Sequence, residues 1–172
     1  MVKGYIQVYT GNGKGKTTAA LGLAVRAAGA GLRVFMAQFV KKVKCSEHAL
    51  LEEVGDRITV KQYGKGLMLG RKPSAADIKA AHAGYEAIKK ILISREYDVV
   101  ILDEANVATH YGLIGVQDLL DLMAIKPREV ELVITGRDAD AKVIKAADLV
   151  TEMREIKHYH EQGVAARRGI EK

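Results

Sequence analysis

Near its start the chain passes from a strand-like run, through a glycine-rich break, into a helix. The three pieces are "GYIQVYT" (4–10), "GNGKG" (11–15) and "KTTAALGLAVRAAGAG" (16–31). The first is apolar and rich in β-formers, which predicts a buried strand. In the third, Leu21, Val25 and Ala28 share one helical face, and Gly29 and Gly31 are natural stops. A strand feeding directly into a helix is the opening half of a parallel crossover unit, so this junction already selects a layered α/β fold.

The rest of the chain repeats the alternation. Strands are predicted at 32–40, 57–63, 97–105, 130–136 and 149–156. Helices are predicted at 46–55, 74–93, 115–125 and 138–148, with Ser46 as an N-cap and Ser74 with Asp77 as a capping box. The segment "GKGLMLGRKP" (64–73) reads as a loop, either a flap over a ligand or a plain connection. These elements predict one domain over 1–172, with a mostly parallel central sheet flanked by helices in three layers. In such sheets ligands gather beyond the carboxyl ends of the strands.

Three segments fall at that edge. In the glycine loop, Gly11, Gly13 and Gly15 let backbone amides turn toward an anion, and the helix N-terminus adds partial positive charge. Lys16 is placed to reach phosphates, and Thr17 can offer a hydroxyl to Mg²⁺. Thr10 stands where the usual phosphate-loop pattern has its first glycine, and Lys14 is an additional lysine. "VVILDEAN" ends an apolar strand on Asp103 and Glu104, two carboxylates suited to a cation beside a polyphosphate. "ITGRD" puts Arg137 after another strand, where it can neutralise phosphate charge or pair with Asp138 or Asp140.

Other polar residues carry weaker signals. His48 and His82 lie in helical patterns, and His110 follows the carboxylate strand. His158 and His160 in "KHYH" are spaced for a solvated surface rather than for a metal. Cys45 is the single cysteine, which excludes an internal disulfide and a cysteine-rich zinc site. The net charge of +6 favours anionic partners, but the basic residues are dispersed, so no nucleic-acid stripe is expected. The start is read as lacking an export signal, no stretch is long enough to span a bilayer, and a cytoplasmic location is expected.

To this point the residues describe a Mg-nucleotide-binding domain. Phosphoryl transfer by a kinase or ATPase, hydrolysis and nucleotide-driven switching all stay open.

The segments "TGNGKGKTTAALG" (10–22), "AQFVK" (37–41), "YDVVILDEANVATHYGLI" (97–114), "ELVITGRDA" (131–139) and "LVTEMREIKHYHEQGVAARRGIE" (149–171) together resemble the ATP:corrinoid adenosyltransferases of the phosphate-loop type. In that family a threonine at the first loop position is normal. The resemblance implies a P-loop NTPase-like, RecA-like fold. It implies ATP, Mg²⁺ and a reduced corrinoid as ligands, and transfer of the 5′-deoxyadenosyl group to Co(I) with release of triphosphate. It places ATP on Thr10, Gly11, Asn12, Gly13, Lys14, Gly15, Lys16, Thr17, Thr18 and Arg137. The metal falls to Thr17 and Glu104 with Asp103 nearby, and Lys16 and Arg137 act electrostatically, with no general acid or base. It also implies a homodimer, a flavoprotein reductant, and no nucleic-acid or membrane partner. The chain has no tryptophan, whereas many relatives carry one in the segment matching 62–73.

Overall fold

Six strands, all parallel where they pair, form one sheet in a computed structural model that describes residues 3–43, 45–53, 55–66 and 71–171. They are β1 (Ile6–Thr10), β2 (Val34–Gln38), β3 (Ile58–Gln62), β4 (Val99–Asp103), β5 (Glu131–Thr135) and β6 (Leu149–Glu152). Their order is β3-β2-β4-β5-β1-β6, so the first strand lies between the last two. The helices are α1 (Lys16–Gly29), α2 (Ser46–Glu53), α3 (Ala75–Ser94), α4 (Ala105–His110), α5 (Val116–Ile125) and α6 (Ala141–Ala146).

The continuous apolar strands divide their side chains between two cores, as the two-residue period of a pleated strand requires. Val34 and Met36 of β2, Val99 and Ile101 of β4, and Val133 of β5 pack with Ala20, Ala24 and Ala27 of α1. Their sequence neighbours Phe35, Ala37, Val100, Leu102, Leu132 and Ile134 face the opposite way. They join Ile88 and Leu92 of α3, Leu119 and Leu122 of α5, and Val143 of α6. Alanines on α1 let that helix lie close to the sheet, which fixes the loop in front of it. The result is three layers, helix on sheet on helix.

Each of the six strands ends on a polar residue: Thr10, Gln38, Gln62, Asp103, Thr135 and Glu152. The apolar runs thus stop together, and one edge of the sheet becomes a hydrogen-bonding surface.

The predicted elements are all present, most with shorter bounds; α3 keeps its length and is displaced by one residue, to Ala75–Ser94. Ser46 is the first residue of α2 itself, Gly55 opens a 3-10 turn (Gly55–Arg57), and Ser74 with Asp77 forms the expected capping box on α3. One helix was not expected. α4 follows Glu104 directly, because Glu104 takes a left-handed backbone (φ 60) that turns the chain at once. The centre of the 64–73 loop, residues 67–70, lies outside the described residues.

Beyond β6 the backbone continues along the glycine loop. Met153 N–H donates to Thr10 O (2.8 Å), and Gly13 N–H donates to Met153 O (2.7 Å). This contact explains two of the loop glycines. A Cβ at Gly13 would lie 2.7 Å from the Arg154 carbonyl carbon, and one at Gly11 would lie 2.4 Å from Met153 O. Both therefore make room for the chain's own later segment, and the Gly13 amide serves that segment rather than an anion. Gly13→Ala should cost about 1–3 kcal/mol of stability, since backbone must move to admit the methyl group. Denaturant unfolding checks this, and an unchanged midpoint would contradict the close crossing.

Candidate active site

The loop between β1 and α1 opens on a cavity of about 630 Å³. Asn12, Gly13, Lys14, Gly15, Lys16, Thr17 and Thr18 form its floor. α1 has no side-chain cap and no acidic residue in its first turn, so its first amides face the cavity without a competing anion. Gly15, at φ 119, makes the turn into the helix.

Lys16 is almost fully buried. Its Nζ donates to Gly11 O and Gly13 O, both at 2.7 Å, which folds the side chain back over the loop. Burial holds its pKa below the ordinary lysine value; Glu104 opposes that and Arg137 adds to it. A buried cation satisfied only by carbonyls is poised to exchange them for a stronger anionic partner.

The polar strand ends do not line the cavity themselves but hold residues that do, Thr17 and Glu104 among them. Asp103 is fully buried and collects donors: Thr17 Oγ1 and Thr135 Oγ1 at 2.8 Å, and Gln38 Nε2 at 3.3 Å. Lys41 Nζ pairs with Oδ2, the oxygen that Gln38 also uses, at 3.2 Å; the two threonines share Oδ1. Although burial opposes its charge, Asp103 and Glu47 raise the Lys41 pKa above the ordinary value. Because Thr17 spends its proton on Asp103, its oxygen lone pairs are left for the cavity. Asp103 lies behind the cavity wall; Thr17 and Glu104 are on it.

Glu104 N–H donates to Thr135 Oγ1 (3.0 Å), which holds its left-handed turn. Burial, and then the neighbouring Asp103, raise the Glu104 pKa above the usual carboxylate range. Two hard oxygen donors, Thr17 and Glu104, the latter a carboxylate whose charge burial and Asp103 disfavour against the pull of Lys41, Lys16 and Arg137, suit Mg²⁺. A raised folded-state pKa means that the ligand-free fold gains stability as pH falls and loses it as pH rises through that value. Cation binding needs the ionised form, so it runs the other way. Below the raised Glu104 pKa, Mg²⁺ affinity should weaken roughly tenfold per pH unit. Titration of the protein with Mg²⁺ and ATP across pH checks this, and Glu104→Gln should flatten the profile.

The expected residues are only partly co-located. Asn12 to Thr18, Glu104 and Arg137 line one cavity. Thr10 and Gly11 stand outside its lining; Thr10 is buried, and its Oγ1 accepts from Ala139 N–H (3.4 Å). Arg137 reaches the wall on a turn tied down by Asn106, whose Nδ2 donates to Gly136 O (3.2 Å). The described ion pairs do not include Arg137.

The histidines and the C-terminal segment depart from the expectations set by the sequence. His158, expected on a solvated surface, lines the cavity together with Glu155, Gly169, Ile170 and Glu171. The C-terminal segment, which the sequence marked for its family resemblance and not for a place in the site, is a third wall of it. Its signal was the glycine spacing at 11 and 13, which needs a neighbour as much as a ligand. His48 is a buried structural residue, with Nδ1 accepting from Cys45 N–H (2.9 Å) and Nε2 against Gln38 Oε1 (2.9 Å). Both ring nitrogens are thus occupied, so the Cys45–Glu47–His48 cluster has no free imidazole lone pair for a metal. His110 is half exposed beside Asp138 and is not part of the cavity wall.

The sequence profile of the ATP:corrinoid adenosyltransferases (BtuR/CobO/CobP) matches residues 2–171. The chain belongs to the ATP:corrinoid adenosyltransferase family. Among relatives, it is 36% identical to a corrinoid adenosyltransferase of a Sinorhizobium species, covering 98% of this chain and 80% of that one. It is 34% identical to the corrinoid adenosyltransferase of Escherichia coli K12, covering 98% and 86%. A Pseudomonas aeruginosa corrinoid adenosyltransferase is 32% identical over 98% and 84%. Solved structures share the fold at low identity. A KaiC-like protein of Pyrococcus horikoshii superposes with a TM-score of 0.58 at 15% identity, over 90% of this chain and 75% of that one. The flagellar accessory protein FlaH of Methanocaldococcus jannaschii gives 0.58 at 14%, over 87% and 71%. The family's P-loop NTPase-like architecture is therefore the one expected from sequence. The sheet proves parallel throughout its described pairings.

Proposed function

We propose that this protein transfers the 5′-deoxyadenosyl group of ATP to the Co(I) centre of a reduced corrinoid, releasing intact triphosphate. The observation that carries this is the family match over 2–171, whose doubled-lysine loop forms the floor of the nucleotide-sized cavity. Cobalt is the nucleophile. It forms a bond to C5′ as the bond from C5′ to the phosphate oxygen breaks, and the electron pair leaves with the triphosphate. Cobalt supplies both bonding electrons and passes formally from Co(I) to Co(III). The corrinoid brings the reactive atom, so the protein orients and neutralises.

The residues on the cavity wall suit that division. The leaving triphosphate is the site of developing charge, and preorganised donors there lower the barrier. The α1 amides, Lys16 and Arg137 are those donors in this reading, with Lys14 at the rim. Thr17 and Glu104 would hold Mg²⁺, which supplies further neutralisation of the phosphate oxygens when bound. No side chain is assigned as a general acid or base, because no proton moves in the step. By the same family resemblance we take the chain to act as one domain within a homodimer in the cytoplasm, with a separate flavoprotein reducing the cobalt.

The test is anaerobic incubation with ATP, Mg²⁺ and chemically reduced cobalamin. Adenosylcobalamin and intact triphosphate are expected. Release of ADP and phosphate with no alkylated corrin would overturn the reading in favour of a kinase or ATPase.

A further inference from the structure

The additional lysine of the loop, Lys14, is engaged by the chain itself. Lys14 Nζ donates to Glu171 Oε1 (3.1 Å), Ile170 O (3.2 Å) and the Tyr159 hydroxyl (3.3 Å). All three acceptors belong to the C-terminal segment, and all lie more than a hundred residues from Lys14 in sequence.

Glu171 is the hub of that segment. Its Oε2 accepts from Arg167 N–H (2.8 Å), its Oε1 accepts from Arg167 Nη2 (3.1 Å), and the Tyr159 hydroxyl donates to it. The Arg167 guanidinium lies 5.0 Å from the Tyr159 ring centre. One carboxylate thus organises the tail internally and also fastens it to the loop. Beyond Met153, the Lys14 contacts are the tail's polar attachment to the loop among the described hydrogen bonds. Lys14 and Glu171 line the same cavity as Lys16, Thr17 and Arg137.

A carboxylate on a loop lysine has the chemistry of a phosphate oxygen: anionic, hydrogen-bond accepting and planar enough to take an ammonium. The Lys14 side chain is 42% exposed, so the pair is solvent-screened and readily exchanged. A polyphosphate in the cavity offers Lys14 a denser anion and repels Glu171. Both effects act in the same direction.

We infer that Glu171 is an internal anion that occupies Lys14 and latches the C-terminal segment over the loop until a polyphosphate displaces it. This rests on the reading that the loop holds a polyphosphate. Nucleotide binding then releases the wall formed by residues 157–171, and the cavity opens at the side of Lys14. Glu171 works against nucleotide affinity, and its removal should improve binding.

The experiment is hydrogen exchange on the full chain with and without inorganic tripolyphosphate, together with its dissociation constant by calorimetry. In the wild type, tripolyphosphate should lower the protection of amides in 157–171. Glu171→Gln should show that loss without ligand and bind tripolyphosphate roughly threefold or more tightly. Lys14→Met should unlatch the same amides while β4 keeps its protection, which separates unlatching from general loosening. Increased protection of 157–171 on binding, or weaker or equal binding by Glu171→Gln, would overturn the latch. If tripolyphosphate binds and the segment is unmoved, the latch alone falls. If it does not bind the wild type, the loop reading falls with it.

Discussion

Lys16→Ala should reduce kcat/KM for adenosyl transfer by about 10²- to 10³-fold and weaken ATP binding to a similar degree. Lys16 is 8% exposed and is held by Gly11 O and Gly13 O at 2.7 Å. Keeping an ammonium in that position costs desolvation, which pushes the Lys16 pKa down. The fold tolerates this because the cation faces a cavity that an anion can fill. Alanine removes the charge and leaves two loop carbonyls without their donor. The stability effect should be small, since the fold no longer carries a buried charge. Calorimetry with ATP, beside a thermal melt, separates the two consequences. Ordinary ATP affinity in a folded Lys16→Ala protein would mean that the loop does not hold phosphates.

Asp103→Ala should be the more damaging change to the fold itself, at about 3 kcal/mol or more. The carboxylate is completely buried and serves Thr17, Thr135, Gln38 and Lys41. Its loss leaves hydroxyl and amide donors without an acceptor, and among the described ion pairs it leaves Lys41 with Glu47 at 3.6 Å. The damage is also functional. Thr135 would lose one partner while still holding the Glu104 amide, and Thr17 would be free to rotate away from the cavity. Denaturant unfolding measures the first effect, and Mg²⁺ affinity measures the second. Asp103→Asn should recover part of the stability, because its amide oxygen still accepts from Thr17. Wild-type stability in Asp103→Ala would show that these contacts contribute nothing net.

Much of the architecture was legible because it depends on local patterning. The apolar run before Asp103 and the glycines before Lys16 both mark strand ends, and the structure brings those ends to one edge. What was illegible depends on contacts between distant parts of the chain. Asn106 stands next to the acidic pair, yet its role in tying down Gly136 follows only from the adjacency of β4 and β5. Lys14 reads as a phosphate ligand until Glu171 is seen beside it. The same holds for Gly11 and Gly13, whose spacing fits an anion loop and a close backbone crossing equally well. Glu104 shows the converse: an ordinary carboxylate in sequence, it takes a backbone conformation that a non-glycine residue adopts only where its surroundings enforce it.

The position of β1 bears on how the chain acquires its structure. Its neighbours are β5 and β6, and Tyr5 N–H meets the Glu131 side chain 126 residues later. Contacts of such long sequence separation are slow to form, because the intervening chain must be closed before they give any return. During synthesis the first strand therefore waits for the last two, and the nucleotide loop attached to it takes its final shape only after Met153 has been made. The β2, β3 and β4 portion can assemble earlier. Binding competence should thus be the last property gained in refolding, behind the burial of β4.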